Sequence, residues 1–185
     1  MLDESPKVHG SIFYLLKKYV NSTFPEGAWD KLILHSGASD QYELNLNYPI
    51  QEIGLIVGAA TALYGYSAYQ IQEQFGEYLV PDLFKLYADF LRPEWKTFDV
   101  LLHTETVMHG AVRKLNSAAS PPVLNVTKVN NKLLIIDYYS KRRMGALAIG
   151  IIKGIAKYFN ESDVVDITSI TDPDAERVQI RVEFM

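Results

Sequence analysis

The sequence predicts an α+β fold, with an N-terminal helical part followed by a four-stranded antiparallel sheet that has one helix inserted in it. Three observations carry this expectation. Through the first two-thirds of the chain, apolar residues recur at three- and four-residue spacing, the period of helices with one buried face. After Pro121-Pro122 the pattern changes to short runs rich in β-branched and aromatic residues, which reads as strands. Between those strands lies one glycine-bearing apolar stripe of helical period. Helices first and strands afterwards indicate segregated layers rather than an alternating parallel sheet.

The first helix is expected from Gly10 to about Asn21, with Ile12, Leu15, Leu16 and Tyr19 on one face. A second starts after Pro25 and carries Trp29, Leu32 and Ile33. From Ile50 to Tyr64 the positions Ile53, Ile56, Val57, Ala60 and Leu63 form a third, which Gly65 ends. Ser67 is an N-cap for a helix through Phe75, and Pro81 opens another short one, carrying Leu83, Leu86, Tyr87 and Phe90, before Pro93. A longer helix is expected from Thr97 to Asn116, with Phe98, Leu102, His109 and Val112 along one stripe, so that His109 faces inward. Val123–Val129 and Lys132–Tyr139 form a hairpin around Asn130-Asn131. Arg143 to Phe159 returns to helix, where Gly145, Gly150 and Gly154 allow a close backbone approach, to a sheet or a flat ligand. Val164–Ile170 and Arg177–Phe184 complete the sheet around Asp172-Pro173-Asp174.

Composition narrows the function. With 185 residues and 48% hydrophobic content, the chain is sized for one domain with a sizeable core. A net charge of −4 argues against nucleic acid as a partner, because phosphate binders cluster positive charge. No cysteine is present, so a metal would be held by histidine, carboxylate or tyrosinate. The acidic, polar start does not read as a signal peptide, and no apolar run approaches the roughly 18 to 20 residues that span a bilayer. A cytoplasmic protein without a membrane segment is expected.

Two places carry candidate chemistry. Tyr138, Ser140 and Arg142 fall on one side of an extended chain and together offer a phenol, a hydroxyl and a guanidinium, a donor set suited to carboxylates. A strand end of that composition is equally what a solvated edge looks like. His109, on the apolar face of its helix, is either a hydrogen-bonded core residue or a metal ligand, since a neutral imidazole binds iron through one ring nitrogen while the other finds an acceptor. His103, six residues earlier, is rotated well away from it. Glu77 and Glu105, on helices, read as solvated or structural rather than as a catalytic pair. No phosphate loop or nucleophile elbow is present, and no enzymatic activity is expected.

His109, Pro122 thirteen residues later, and Tyr138-x-Ser140-x-Arg142 together form a pattern that resembles the haem nitric oxide/oxygen-binding (H-NOX, HNOB) family, related to the sensor domain of soluble guanylate cyclase. Gly10-Ser11-Ile12, Phe75-Gly76-Glu77-Tyr78 and Ile149-Gly150-Ile151-Ile152-Lys153 are similar to further family segments, so the resemblance runs from about Val8 to Phe184. It implies one domain over 1–185. That domain would have an N-terminal extension at 1–7, a helical distal part over about 8–96, and a proximal helix with the sheet over about 97–185, with haem b between the parts. It further implies His109 as the iron ligand and Tyr138, Ser140 and Arg142 as a clamp on the propionates. Pro122 would press on the macrocycle, and Ile12, Leu147 and Met108 would contact the haem.

In oxygen-holding members of that family, a tyrosine five residues past the clamp arginine donates to the bound gas. Here that position is Leu147, and its N-terminal companion is Leu16. Bound oxygen needs a donor, whereas NO and CO tolerate an apolar pocket, so the resemblance implies an NO-selective sensor; Tyr14 and Tyr19 are the nearest other donors. NO binding would weaken the iron–His109 bond. The change would then pass to a separate signalling protein, such as a histidine kinase, a cyclic-nucleotide enzyme or a chemoreceptor. The rivals are a haem-free interaction or small-ligand module of the same fold and an oxygen-binding sensor.

Overall fold

In the computed structural model, residues 7–115 and 121–185 are described. The expected N-terminal extension therefore lies, except for Lys7, outside the described residues, as does Asn116 at the expected end of the proximal helix. Strand β1 (Lys7–His9) leads directly into α1 (Gly10–Thr23), followed by α2 (Ala28–Ser36), β2 (Asn47–Pro49), α3 (Ile50–Tyr64) and α4 (Ala68–Leu86). Next come α5 (Thr97–His103), a π-helical turn (Thr104–His109) and α6 (Gly110–Leu115). The chain closes with β3 (Val123–Asn130), β4 (Leu133–Tyr139), α7 (Gly145–Tyr158), β5 (Val165–Ser169) and β6 (Arg177–Phe184). The four late strands form one antiparallel sheet in the order β3-β4-β6-β5, with α7 inserted between β4 and β5, which is the architecture expected. The small antiparallel pair β1–β2 was not legible, because three-residue strands carry no period.

Two apolar clusters organise the interior. The first is helical and gathers Phe13, Leu16, Tyr19, Trp29, Leu32 and Ile56, with Met144 brought in from the chain just before α7. The second places Leu134, Ile136, Tyr138, Val178 and Ile180 of the sheet against Ile149, Ile152 and Ile155 of α7. Val80 and Phe84 of α4 belong to this second cluster, so α4 spans both.

Helix α4 departs from expectation. Rather than two short helices, Ala68–Leu86 runs unbroken with Pro81 inside it, started by the predicted Ser67 cap, whose side chain accepts from Gln70 N. Pro81 deletes the bond its N–H would make to the Glu77 carbonyl. Packing of the whole length of α4 against α7 offsets that loss. The contact is a backbone approach: a Cβ on Gly150 would lie 2.0 Å from the Glu73 carbonyl oxygen, one on Gly76 2.3 Å from that of Leu147, and one on Gly154 2.8 Å from that of Glu77. Gly150 and Gly154 thus make room for another helix, whereas Gly145 lies against Pro173 and Val178 on the sheet side.

The expected single helix from Thr97 is three segments, because the turn from Thr104 to His109 winds wider than an α-helix. The hairpin turns at Asn131-Lys132 rather than Asn130-Asn131. A register shift between Lys128 and Asn130 lengthens β3 by one residue, and the Asn130 side chain accepts from Lys132 N at 2.7 Å. α7 begins at Gly145 because Arg143 takes a left-handed φ of 51° that ends the preceding turn.

Candidate functional site

Four histidines compete for any metal, and their surroundings separate them. His9 caps α1, its Nδ1 2.8 Å from Ser11 Oγ. His35 is exposed on α2. His103 stacks on Trp95, with ring centroids 4.9 Å apart and planes at 15°. His109 ends the π-helical turn with its side chain 17% exposed and Nδ1 2.9 Å from Glu105 Oε2.

The Glu105 carboxylate also accepts from Arg113 at 2.7 Å and from the backbone N–H of Leu124, in β3, at 3.0 Å. These bonds, led by that from His109, outweigh the burial that would otherwise raise its pKa, so it stays below the usual carboxylate value. An ionised carboxylate only accepts, so His109 Nδ1 carries the proton of the shared bond. Burial is the largest influence on the ring itself and pushes its pKa down, past the opposing pull of Glu105 and the Pro122 carbonyl. The lowered pKa favours the neutral imidazole. That is the protonation state a metal-binding histidine requires.

The donor set at the end of β4 assembles differently from the extended alternation expected. The strand stops at Tyr139, and Ser140 starts a turn in which its Oγ accepts from Arg142 N at 3.1 Å. The turn nevertheless brings the three side chains together. Tyr138 is buried, and burial raises its pKa, opposed by the Ser140 hydroxyl, the Arg142 charge and the Met144 backbone. Arg142 is half-buried and donates to the Lys7 carbonyl of β1; among the described residues no carboxylate faces it. A desolvated guanidinium beside a phenol and a hydroxyl, with no acid of its own, fits an incoming carboxylate. The donor chemistry on both sides thus suits a haem, which needs one axial nitrogen and cationic and hydroxyl partners for its propionates.

The strand β3 links the two groups. Leu124 donates its N–H to Glu105 and pairs in register with Tyr138, and Pro122, half-buried, presents its carbonyl to His109 just before β3 begins. The remaining expected residues fall elsewhere. Ile12 and Leu147 pack against the helical cluster, where Leu16 is buried. Met108 is buried next to His109 but is in neither cluster. Two open grooves of about 510 and 540 Å³ lie around Lys18 and Tyr78 and include none of these residues. Glu105 is the functional neighbour that sequence reading passed over. Its i, i+4 spacing to His109 was a usable signal, but the contact to Leu124 was not.

The fold is that of solved H-NOX domains, and a family model matches most of the chain. The model of the haem-NO-binding (HNOB) family matches residues 9–167, and the chain belongs to that family, whose members are haem-based gas sensors. An unliganded Fe(II) H-NOX protein from K. algicida superposes with a TM-score of 0.86 at 21% identity, over 96% of this chain and 97% of that one. The S. oneidensis H-NOX protein in its Fe(II)NO state gives 0.83 at 22% identity, over 96% and 99%. A T. tengcongensis H-NOX mutant gives 0.80 at 17%, over 96% and 97%. Among curated protein sequences no significant match is found.

Proposed function

We propose that this protein is an NO-selective sensor that holds haem b through His109 Nε2. The observation that carries this reading is the buried His109 ring with Nδ1 2.9 Å from Glu105 Oε2 and its pKa pushed below the ordinary value by burial. Tyr138, Ser140 and Arg142 hold the propionates, while Pro122, Met108, Ile12 and Leu147 pack on the macrocycle. Haem would supply a ferrous iron able to take NO or CO, with His109 as the side chain that would hold it.

Selectivity rests on apolar Leu147 and Leu16 at the positions where a donor to bound oxygen would be needed. Tyr14 is 58% exposed, and the buried Tyr19 commits its hydroxyl to Gln74 Oε1 at 3.0 Å. With Tyr14 turned to solvent and Tyr19 bonded to Gln74, neither serves as a donor to bound oxygen. The output segment is the π-helical turn: π turns recur at functional sites, and this one ends on His109. A shift there is passed to α6 and the β3 edge, and from them to a separate cytoplasmic signalling protein such as a histidine kinase, a cyclic-nucleotide enzyme or a chemoreceptor. No helix among the described residues is long and apolar enough to cross a membrane. The chain acts as one sensor unit, with the 8–96 and 97–185 parts on either side of the haem and no catalytic step of its own.

The test is the visible spectrum of reduced, haem-supplied protein in NO, in CO and in air, beside His109→Ala. A Soret band that responds to NO and CO, is not held in an oxygenated form in air, and changes in the variant is expected. No haem uptake would leave a haem-free module, and a lasting oxygenated spectrum would make this an oxygen sensor.

A further inference from the structure

Three donors converge on the carboxylate of Glu105: His109 Nδ1 on Oε2, Leu124 N–H on the same oxygen, and Arg113 on Oε1. They come from three segments, the end of the π turn, the first residues of β3, and α6. The sheet has β3 at its edge, so the Leu124 N–H would otherwise be an open edge donor. Surface charge does not account for this geometry, since the Glu105 side chain is 25% exposed and three bonds hold it. Arg113 has no other ion pair among the described residues, and the pair spans two helical turns across the His109 position.

We propose that Glu105 is the positioning residue that sets the direction and the donor strength of the His109 lone pair. The inference rests on the reading of His109 as the iron ligand. With its oxygens engaged by donors, the carboxylate can only accept from Nδ1, which selects one tautomer and fixes ring rotation about the side-chain bonds. A carboxylate acceptor also gives the ring partial imidazolate character, which strengthens its bond to a metal; loss of such a partner typically costs about 10- to 100-fold in metal affinity or activity. Because the same oxygen holds Leu124, His109 is tied to the β3 edge as well as to its own helix. Glu105 therefore decides how readily the ligand lets go and which strand feels it.

Two variants and two readouts test this. Glu105→Gln keeps an acceptor without the charge, and Glu105→Ala removes both. In reduced, haem-loaded protein without gas, the iron–histidine stretch measured by resonance Raman is expected to move to lower frequency in Glu105→Gln and further in Glu105→Ala. The five-coordinate share of the NO complex is expected to rise in the same order, and haem loss to quicken by about 10-fold or more in Glu105→Ala. In the haem-free full chain, ring nitrogen NMR is expected to show the Nδ1–H tautomer for His109, with Nε2–H appearing in Glu105→Ala. A purely structural glutamate would lower stability without moving the stretch or the tautomer, and that result overturns the proposal. Should Glu105→Ala fail to fold, the Glu105→Gln stretch decides alone. No haem uptake by the unaltered protein sinks the sensor reading itself, a different result from a haem-loaded protein indifferent to Glu105.

Discussion

The α4–α7 contact and the segment around His109 are both helical, yet they are built on opposite principles. Along α4–α7, glycines let two backbones touch, ion pairs such as Lys153–Glu73 at 2.8 Å flank the contact, and side chains from both cores continue it. Around His109, the π turn winds wide and a single carboxylate gathers the tertiary polar contacts. Gly110, beside the histidine, has only the Glu105 carbonyl oxygen near its would-be Cβ, at 3.9 Å. Close backbone contact leaves little room for alternative packing, whereas the wide turn is held by a few hydrogen bonds. The first region is the frame, and the second is the part able to move.

The largest expected effect tests the frame. Gly150→Val places a side chain where even a Cβ meets the Glu73 carbonyl at 2.0 Å, and neither helix backbone can retreat without breaking a core. A loss of about 3 kcal/mol or more is expected in denaturant unfolding. A near-neutral result would show that α4 and α7 separate easily and would erase the contrast.

Acid sharpens the comparison from the other side. His109 and Glu105 both have pKa values below their ordinary ones in the folded chain, so acidification removes stability through both. Below about pH 6.5 the unfolded chain takes up a proton that the buried imidazole refuses, so stability declines from there. Below about pH 4.5 the unfolded glutamate protonates before the folded one, and the decline continues. The haem-free protein should therefore melt at progressively lower temperature from pH 7.5 to pH 4, and Glu105→Gln should flatten the lower part of that curve. An unchanged slope in the variant would deny Glu105 its depressed pKa.

The smallest effect is of opposite sign. Gly110 has ordinary helical angles, φ −60° and ψ −41°, and open space, so Gly110→Ala should stabilise the chain by about 0.5–1 kcal/mol in the same unfolding assay. Destabilisation there would mean that the segment after His109 is packed as tightly as α7.

The legible part of the fold was the part governed by period. Ile50–Tyr64 and Arg177–Phe184 have the bounds that their apolar spacing predicts, and the Ser67 cap stands where its residue type places it. Pro81 misled because local chemistry argues for a break that a long partner helix overrides. Thr97–Asn116 misled because a π turn retains apolar spacing close enough to 3.6 to pass for one helix. At the site, His109, Tyr138, Ser140 and Arg142 were singled out from residue type and order. The convergence of Tyr138, Ser140 and Arg142 at the β4 end nevertheless comes from a serine-stabilised turn, not from strand alternation.

By itself, then, the sequence determined the kinds and order of elements, the absence of thiolate chemistry, and one histidine in the right pattern for the haem-NO-binding family. These follow from side-chain chemistry and short-range spacing. Only the tertiary structure decided that the neutral form of His109 is favoured with Nδ1 held, that Glu105 holds it, and that Arg142 is desolvated without an acid. Each of those depends on what lies across the fold from it: burial, the Leu124 N–H of another element, and the Lys7 carbonyl at the far end of the chain. Protonation and donor strength are set by such surroundings, which no periodicity encodes.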